Sequence, residues 1–138
     1  MGNTPLETTK FMYNAFAQGD IPALMECLAP NIEWEYGVIS NDVPWYQARH
    51  GLTGVSEFFA SLQAVEFHRF EPTVFLQEGN IVVVLLNADY TVKATGLRVV
   101  YEDAVMVWKF DASGKVAKFA HRVDFHQAWL AHHGRAVA

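Results

Sequence analysis

The chain has 138 residues, a net charge of −5, and a composition that is 51% hydrophobic and 14% aromatic. These values predict a single domain, residues 1–138, with a sizeable core. They argue against nucleic acid and anionic lipid as partners, because the sequence has no basic run or stripe.

Two helices are predicted at the start of the chain. Thr4-Pro5-Leu6-Glu7 has the form of a capping box with proline at the first helical position, and Gly19 ends this helix. Asp20 caps a second helix, whose apolar positions run to Leu28 and which Pro30 stops. Both helices therefore begin at a side chain that can accept a backbone N–H.

A short strand, a long loop and a third helix follow. Residues 32–36 alternate between apolar and polar side chains as a strand does, and residues 37–53 form the loop. The third helix is predicted over about residues 54–63. Its apolar face consists of Val55, Phe58, Phe59 and Leu62.

From residue 67 onward the hydrophobic period changes from that of helices to that of strands. Short turns at Gly79-Asn80, Thr95-Gly96 and residues 111–114 separate the segments, which predicts an antiparallel meander. The four predicted strands span residues 67–77, 80–93, 97–110 and 115–125.

The second of these strands is apolar at every position from Ile81 to Leu86, so both of its faces should be covered. One face can meet the helices. The other requires a second subunit or another sheet, and we expect a homodimer through the outer face of the sheet.

A short C-terminal helix, from about Phe125 to Gly134 with Asp124 as its N-cap, completes the predicted elements. Three helices packed on a curved antiparallel sheet make an α+β domain. A curved sheet wrapped by helices forms a cone, and the open end of a cone is a natural site for a small molecule.

One ionisable side chain lies on an apolar face of the last strand. Alternate residues share a face of a strand, and that face contains Ala117, Phe119, His121, Val123 and Phe125. A histidine in this setting can titrate near neutral pH and move protons. It can equally be a core residue with one hydrogen bond.

Several segments, in this order and spacing, resemble SnoaL-like proteins of the nuclear transport factor 2-like superfamily. Residues 13–20 and 28–34 resemble the opening of those proteins. Pro44-Trp45-Tyr46 with Arg49-His50-Gly51, and the closing segment 108–116, resemble the ketosteroid-isomerase-related branch. The resemblance implies the cone-shaped fold, with three N-terminal helices on a curved antiparallel sheet and a short C-terminal helix. That fold is shared by enzymes, binding modules and subunits of complexes.

The resemblance also bears on the reaction. Ketosteroid isomerase uses an aspartate base with a tyrosine and an aspartate as oxyanion hole. The position of that tyrosine is Met12 here, that of the base aspartate is near Tyr36, and that of the second aspartate is near Met106. None of the three groups is kept, which excludes steroid isomerisation by that mechanism. Polyketide-cyclase-like members carry a catalytic acidic residue on the last strand, and the position that matches it is His121.

We therefore expect His121 to be the acid/base. Glu102 is the second candidate, because alternation groups it with Ala104, Met106 and Trp108 on one face, from which it could pair with His121. A solvated strand end is the alternative for Glu102. Tyr13, Tyr36 and Tyr46 are candidate hydroxyl donors.

The predicted pocket wall is mostly aromatic. Trp45 and Tyr46 lie beside a proline on the long loop, where they suggest a lid. Arg49 and His50 on the same loop could hold a carboxylate, although a surface role fits equally well. The predicted wall consists of Tyr13, Phe16, Trp34, Tyr36, Trp45, Tyr46, Phe58, Met106, Trp108, Phe119 and Val123.

The sequence carries no motif that points to a metal or a cofactor. His121 with His126, and the pair His132-His133, do not have the spacing of a known zinc pattern. There is no glycine-rich phosphate loop and no nucleophile elbow. We expect neither a metal nor a cofactor.

The sequence also bears on the cellular location of the protein. No apolar run approaches the ~20 residues of a membrane span, and the N-terminus lacks the pattern of a signal peptide. The single cysteine, Cys27, excludes an internal disulfide. We expect a cytoplasmic protein without a membrane partner.

Two functions remain open. The first is a cofactor-independent isomerase, cyclase or hydratase that acts on an apolar carbonyl compound by acid/base chemistry through His121. The second is a non-catalytic dimeric binding module for a hydrophobic ligand.

Overall fold

The first helix begins where its capping box predicts. In the computed structural model, which describes residues 3–135, α1 spans Pro5–Ala17. The Thr4 hydroxyl accepts the backbone N–H of Glu7 at 3.1 Å, and the Glu7 carboxylate accepts that of Thr4 at 3.0 Å. One face of α1, which includes Met12 and Tyr13, is buried against the sheet.

The second helix is shorter than its apolar pattern predicted. α2 spans Ile21–Met25, with the Asp20 carboxylate accepting the backbone N–H of Ala23 at 3.2 Å. Strand β1, Leu28–Trp34, then follows almost at once. Leu28 is therefore a strand residue rather than a helical one, because pairing with a distant strand overrides the local helical spacing.

The predicted loop contains a little regular structure. Residues Pro44–Tyr46 form a 3₁₀ turn, and β2 is the two-residue strand Arg49–His50. Helix α3, Gly51–Ser61, starts three residues earlier than predicted and is followed by a 3₁₀ turn at Leu62–Ala64. Gly51 has a φ of 73°, a conformation that permits the sharp turn from β2 directly into α3.

Within residues 3–135, six strands form one sheet in the order β2-β1-β6-β5-β4-β3. The long strands are β3, Val65–Glu78; β4, Ile81–Val92; β5, Leu97–Phe110; and β6, Val116–Arg122. Strands β3 to β6 form the predicted antiparallel meander. The sheet is nevertheless mixed, because β1 lies parallel to β6.

The chain closes with helix α4, Phe125–His132. Asp124 occupies the predicted N-cap position, but its side chain makes no capping hydrogen bond. The carbonyl of Asp124 instead accepts the Tyr101 hydroxyl at 2.9 Å. The start of α4 is thus fastened to β5 through the backbone of Asp124.

The two faces of the sheet differ in burial. Along β4, Val82, Val84 and Leu86 are fully buried on the side of the helices, whereas the alternate residues are only half-buried. No helix within residues 3–135 has the length and apolar character needed to cross a membrane.

The outer face of the sheet carries a contiguous apolar patch. Val83 pairs with Val107 and Leu85 with Val105 across β4 and β5, and β3 adds two exposed residues beside them. We call this set the outer patch: Val74, Leu76, Val83, Leu85, Val105 and Val107. Apolar surface that spans three strands is typical of a protein–protein contact.

We expect the outer patch to mediate a homodimer, measurable by light scattering at micromolar concentration. Leu76→Lys should shift the chain toward the monomer, because it places a charge in the patch at a side chain that is 59% exposed in the single chain. Its effect on folding should be within about 0.5 kcal/mol. Val100→Lys is the matched control, since Val100 is 53% exposed and lies outside the patch. A monomeric parent chain would contradict this prediction.

Candidate functional site

A cavity lies between the helices and the concave face of the sheet. Its volume is about 90 Å³, below the ~150 Å³ of an apolar cavity that accommodates benzene. Even a single aromatic ring can therefore be enclosed only if side chains of the wall move. The predicted wall residues that line this cavity are Tyr13, Phe16, Trp34, Trp45, Tyr46, Phe58, Met106, Trp108, Phe119 and Val123.

Tyr36, the remaining predicted wall residue, lies outside the cavity. Its ring contacts three cationic side chains, with the Arg122 guanidinium 4.7 Å from the ring centroid and Lys109 and Lys118 at 5.0 and 5.7 Å. The cause is Glu35, whose φ of 59° interrupts the strand alternation that would have placed Tyr36 beside Trp34. Tyr36 is therefore no candidate for an oxyanion donor.

His121 lines the cavity and is paired with Glu35. The ring Nδ1 of His121 lies 2.8 Å from Oε2 of Glu35, and the backbone N–H of His121 donates to Oε1 at 2.7 Å. Glu35 is only 1% exposed. The buried Glu35 carboxylate thus accepts hydrogen bonds from both the backbone and the ring N–H groups of His121.

This pairing fixes the histidine tautomer. An ionised carboxylate can only accept hydrogen bonds, so in the neutral ring Nδ1 carries the proton and Nε2 keeps its lone pair. Nε2 has no hydrogen-bond partner among residues 3–135. The aromatic rings of Tyr46, Phe58 and Phe119 surround the imidazole, with centroids 5.4, 6.2 and 4.8 Å away.

Glu102, the predicted partner of His121, is exposed and does not line the cavity. A bulge in β5 displaces it: Leu86 pairs with Ala104 but Ala88 pairs with Tyr101, and Asp103 has a φ of 56°. The extra residue shifts the alternation, so Tyr101 rather than Glu102 shares the inner face with Ala104. Glu35 takes the partner role that the sequence predicted for Glu102.

A second polar group on the cavity wall consists of three tyrosines, Tyr46, Tyr90 and Tyr101, which we call the tyrosine cluster. The rings of Tyr90 and Tyr101 lie 6.4 Å apart, centroid to centroid. The Tyr90 hydroxyl accepts the indole N–H of Trp45 at 3.1 Å. The sequence pattern indicated Tyr46 but not Tyr90 and Tyr101. The alternation of side chains along β4 and β5 places these two residues on the inner face of the sheet.

The tyrosine cluster is held in its protonated form. Burial raises the pKa of Tyr46 well above its ordinary value, and the nearby hydroxyls and the Glu35 carboxylate add to this effect. Burial also raises the pKa of Tyr101, and raises the pKa of Tyr90 to about 12. These hydroxyls therefore stay protonated over the whole physiological pH range, although the O–H of Tyr101 is already donated to the Asp124 carbonyl.

At the opposite part of the wall, the hydroxyl of Tyr13 is already paired. It accepts the indole N–H of Trp108 at 3.1 Å and donates to the sulfur of Met106 at 2.9 Å. Burial raises the pKa of Tyr13 as well. Tyr13 therefore organises the aromatic wall rather than offering a free donor.

The loop that carries Trp45 and Tyr46 is held in shape by hydrogen bonds between its own residues. The Asn41 amide donates to the carbonyls of Ile39 and Tyr46, and the Gln47 amide donates to those of Asn41 and Val43. Such a network gives the loop one defined conformation. We call residues 39–47 the Asn41 loop.

Arg49 supports this loop rather than facing the cavity. Its guanidinium donates to the carbonyl of Pro44 at 2.8 Å and lies 3.9 Å from the Glu57 carboxylate. His50 is exposed and precedes α3 without a capping hydrogen bond. Neither residue lines the cavity.

The chain is similar to known proteins in both sequence and fold. A family model for the SnoaL-like domain matches residues 9–119. No curated protein has a detectably similar sequence.

Three solved structures illustrate the likeness. An NTF2-like protein of unknown function from Burkholderia pseudomallei is 24% identical, with a TM-score of 0.77, covering 94% of this chain and 98% of its own. A protein assigned as a SnoaL-like polyketide cyclase from Mesorhizobium loti is 21% identical, with a TM-score of 0.70 and coverages of 87% and 99%. TerC, crystallised with polyporic acid, is 23% identical, with a TM-score of 0.70 and coverages of 90% and 96%. At these identities the likeness concerns the fold.

We expect at least four of the five tyrosines to stay largely protonated at about pH 11 in the folded protein, as followed by the ultraviolet absorbance of phenolate. The urea-unfolded chain should ionise all five near pH 10. Because the folded-state pKa values are raised, stability is full below about pH 10. It should then fall by about 1.4 kcal/mol per pH unit for each such tyrosine as the pH rises toward 12. Two or more tyrosines that ionise together near pH 10 in the folded protein would contradict this.

Proposed function

The chain belongs to the SnoaL-like domain family, and from that premise we propose that it is a cofactor-independent acid/base enzyme acting on an apolar carbonyl compound. The observation that carries the proposal is the pair of His121 and Glu35 on the wall of an otherwise apolar cavity. Isomerisation, cyclisation and dehydration share one requirement, which is a base beside a group that stabilises an oxyanion.

His121 is the base in this proposal. The Glu35 carboxylate holds the proton on Nδ1, so that Nε2 can take a proton from the carbon next to a carbonyl group. As the imidazolium forms, the carboxylate at 2.8 Å stabilises its positive charge. Nε2 then returns the proton to another atom of the same substrate, so no cofactor is consumed.

Tyr46, the member of the tyrosine cluster beside His121, stabilises the oxygen that becomes negative. The ring of Tyr46 lies 5.4 Å from that of His121, centroid to centroid, so the hydroxyl and the imidazole can serve one small substrate. A hydroxyl whose pKa is raised stays protonated and donates without being ionised itself. The charge created on the substrate oxygen thus meets a donor on an apolar wall, where electrostatic interactions are stronger than in bulk water.

The aromatic side chains of the cavity wall favour a flat, unsaturated substrate. Trp34, Trp108 and Phe119 form a compact set of rings, with centroid distances of 4.1 and 4.3 Å from Phe119 to the two indoles. Aromatic walls of this kind pack against flat rings. A polyketide cyclase assignment for one relative and polyporic acid in another agree with a small-molecule ligand.

A binding module for a hydrophobic ligand is the second candidate. It is favoured by the near absence of charge from the cavity wall, where His121 is the one side chain among the lining residues that can carry a positive charge. In that case His121 and Glu35 would serve only to join β6 to β1.

Deuterium exchange at the carbon next to the carbonyl, followed by NMR in D₂O over a panel of one- to three-ring aromatic ketones, tests the base directly. His121→Gln should lower the exchange rate by about 10²- to 10⁴-fold. Glu35→Gln should lower it comparably, because the new amide N–H would donate to Nδ1 and move the ring proton to Nε2. Glu102→Gln is the matched control and should leave the rate unchanged.

Thermal unfolding and ligand-induced quenching of tryptophan fluorescence accompany each variant, so that loss of folding or binding is recognised. If exchange persists undiminished in folded His121→Gln, the proposed base is wrong. If panel compounds bind but none exchanges with the parent chain, the binding module is the better description.

A further inference from the structure

We propose that Asp42, His132 and His133 form a binding site for a borderline divalent cation such as Zn²⁺, outside the cavity. The side chains come from two parts of the fold, the Asn41 loop and the last turn of α4 with the residue that follows it. This inference is independent of the proposed enzyme activity.

The ligand atoms are already close together. One donor atom from each of the three side chains lies within 4.8 Å of the others. Nε2 of His133 lies 3.0 and 2.9 Å from the two carboxylate oxygens of Asp42. Two ligands on one tetrahedral zinc ion lie about 3.4 Å apart, given metal–ligand bonds of about 2.0–2.1 Å. Small side-chain rotations therefore suffice to admit an ion between them.

The chemistry of the three donors selects the class of ion. Two imidazole nitrogens and one carboxylate oxygen suit zinc, copper or nickel, whereas magnesium and calcium prefer oxygen ligands alone. Water fills the remaining coordination positions, because His133 and Asp42 are exposed. An aspartate carboxylate is ionised at neutral pH and can bind a cation directly.

The supports behind the three side chains are ordered. The ring of Trp129 lies 4.2 Å from that of His133, and the ring of Trp45 meets His132 edge-on at 5.9 Å. Hydrogen bonds of Asn41 on either side of Asp42 hold the loop in place. Ligands on such supports lose little freedom when they bind an ion.

An ion at this site would join the Asn41 loop to α4. Trp45 lines the cavity and contacts His132, so the cation would brace one part of the cavity wall from behind. Sequence spacing could not indicate the site, because Asp42 is 90 positions from the nearer histidine and adjacent histidines alone match no zinc pattern.

The test is a calorimetric titration of the full chain, free of any polyhistidine tag, with ZnCl₂ in a non-chelating buffer. We expect one Zn²⁺ per chain and a melting temperature that rises with zinc concentration. Asp42→Asn and His133→Gln should each weaken binding by at least about tenfold. His68→Gln, which removes an exposed histidine of β3 that bonds Thr91, is the matched control and should bind as the parent does. Excess Mg²⁺ should not compete.

The proposal is overturned if the parent shows no saturable one-to-one binding. It is equally overturned if Asp42→Asn or His133→Gln keeps the parent affinity for zinc. The same holds if His68→Gln loses as much zinc affinity as those two variants do. Asp42→Asn and His133→Gln change exposed side chains, so the folding of both variants, checked by circular dichroism, should match that of the parent.

Discussion

The buried carboxylate of Glu35 is the group on which the site and part of the sheet depend. A carboxylate removed from water costs several kcal/mol unless hydrogen bonds replace its hydration. Here the backbone and ring N–H groups of His121 do so, at 2.7 and 2.8 Å, and the backbone N–H of Glu35 donates to the Phe119 carbonyl at 2.7 Å. These bonds join the end of β1 to β6, the parallel pair of the sheet. The same bonds set the orientation and tautomer of the cavity histidine.

The polar groups of the cavity wall are likewise positioned by the protein before any ligand arrives. Trp45 donates to Tyr90, Tyr101 donates to the Asp124 carbonyl, and Trp108 donates to Tyr13. Each pair links elements distant in sequence, so the hydroxyls are fixed by the packing of the whole domain. Polar groups held in place in this way need no rearrangement when charge develops beside them.

The sequence predicted the α+β class, the capped first helix, the four-strand meander and most aromatic wall residues, because these follow from periodicity and capping chemistry. It could not predict Glu35 or exclude Glu102. Both errors arise where one residue adopts a left-handed conformation, Glu35 itself and Asp103 beside Glu102. Strict alternation assumes extended backbone throughout, and a single such residue exchanges the inner and outer faces. The early end of α2 has a different cause, since the pairing of β1 with β6 is invisible to local sequence.

The conformation of Glu35 sets backbone strain against side-chain hydrogen bonding at one position. A φ of 59° costs a non-glycine residue about 1 kcal/mol or more, and glycine or asparagine would adopt it with less strain. Neither of those residues could supply an ionised carboxylate to His121. Glycine at this position would relieve the strain but would remove the acceptor of two hydrogen bonds from His121, so the chain retains a residue that backbone energetics alone disfavours.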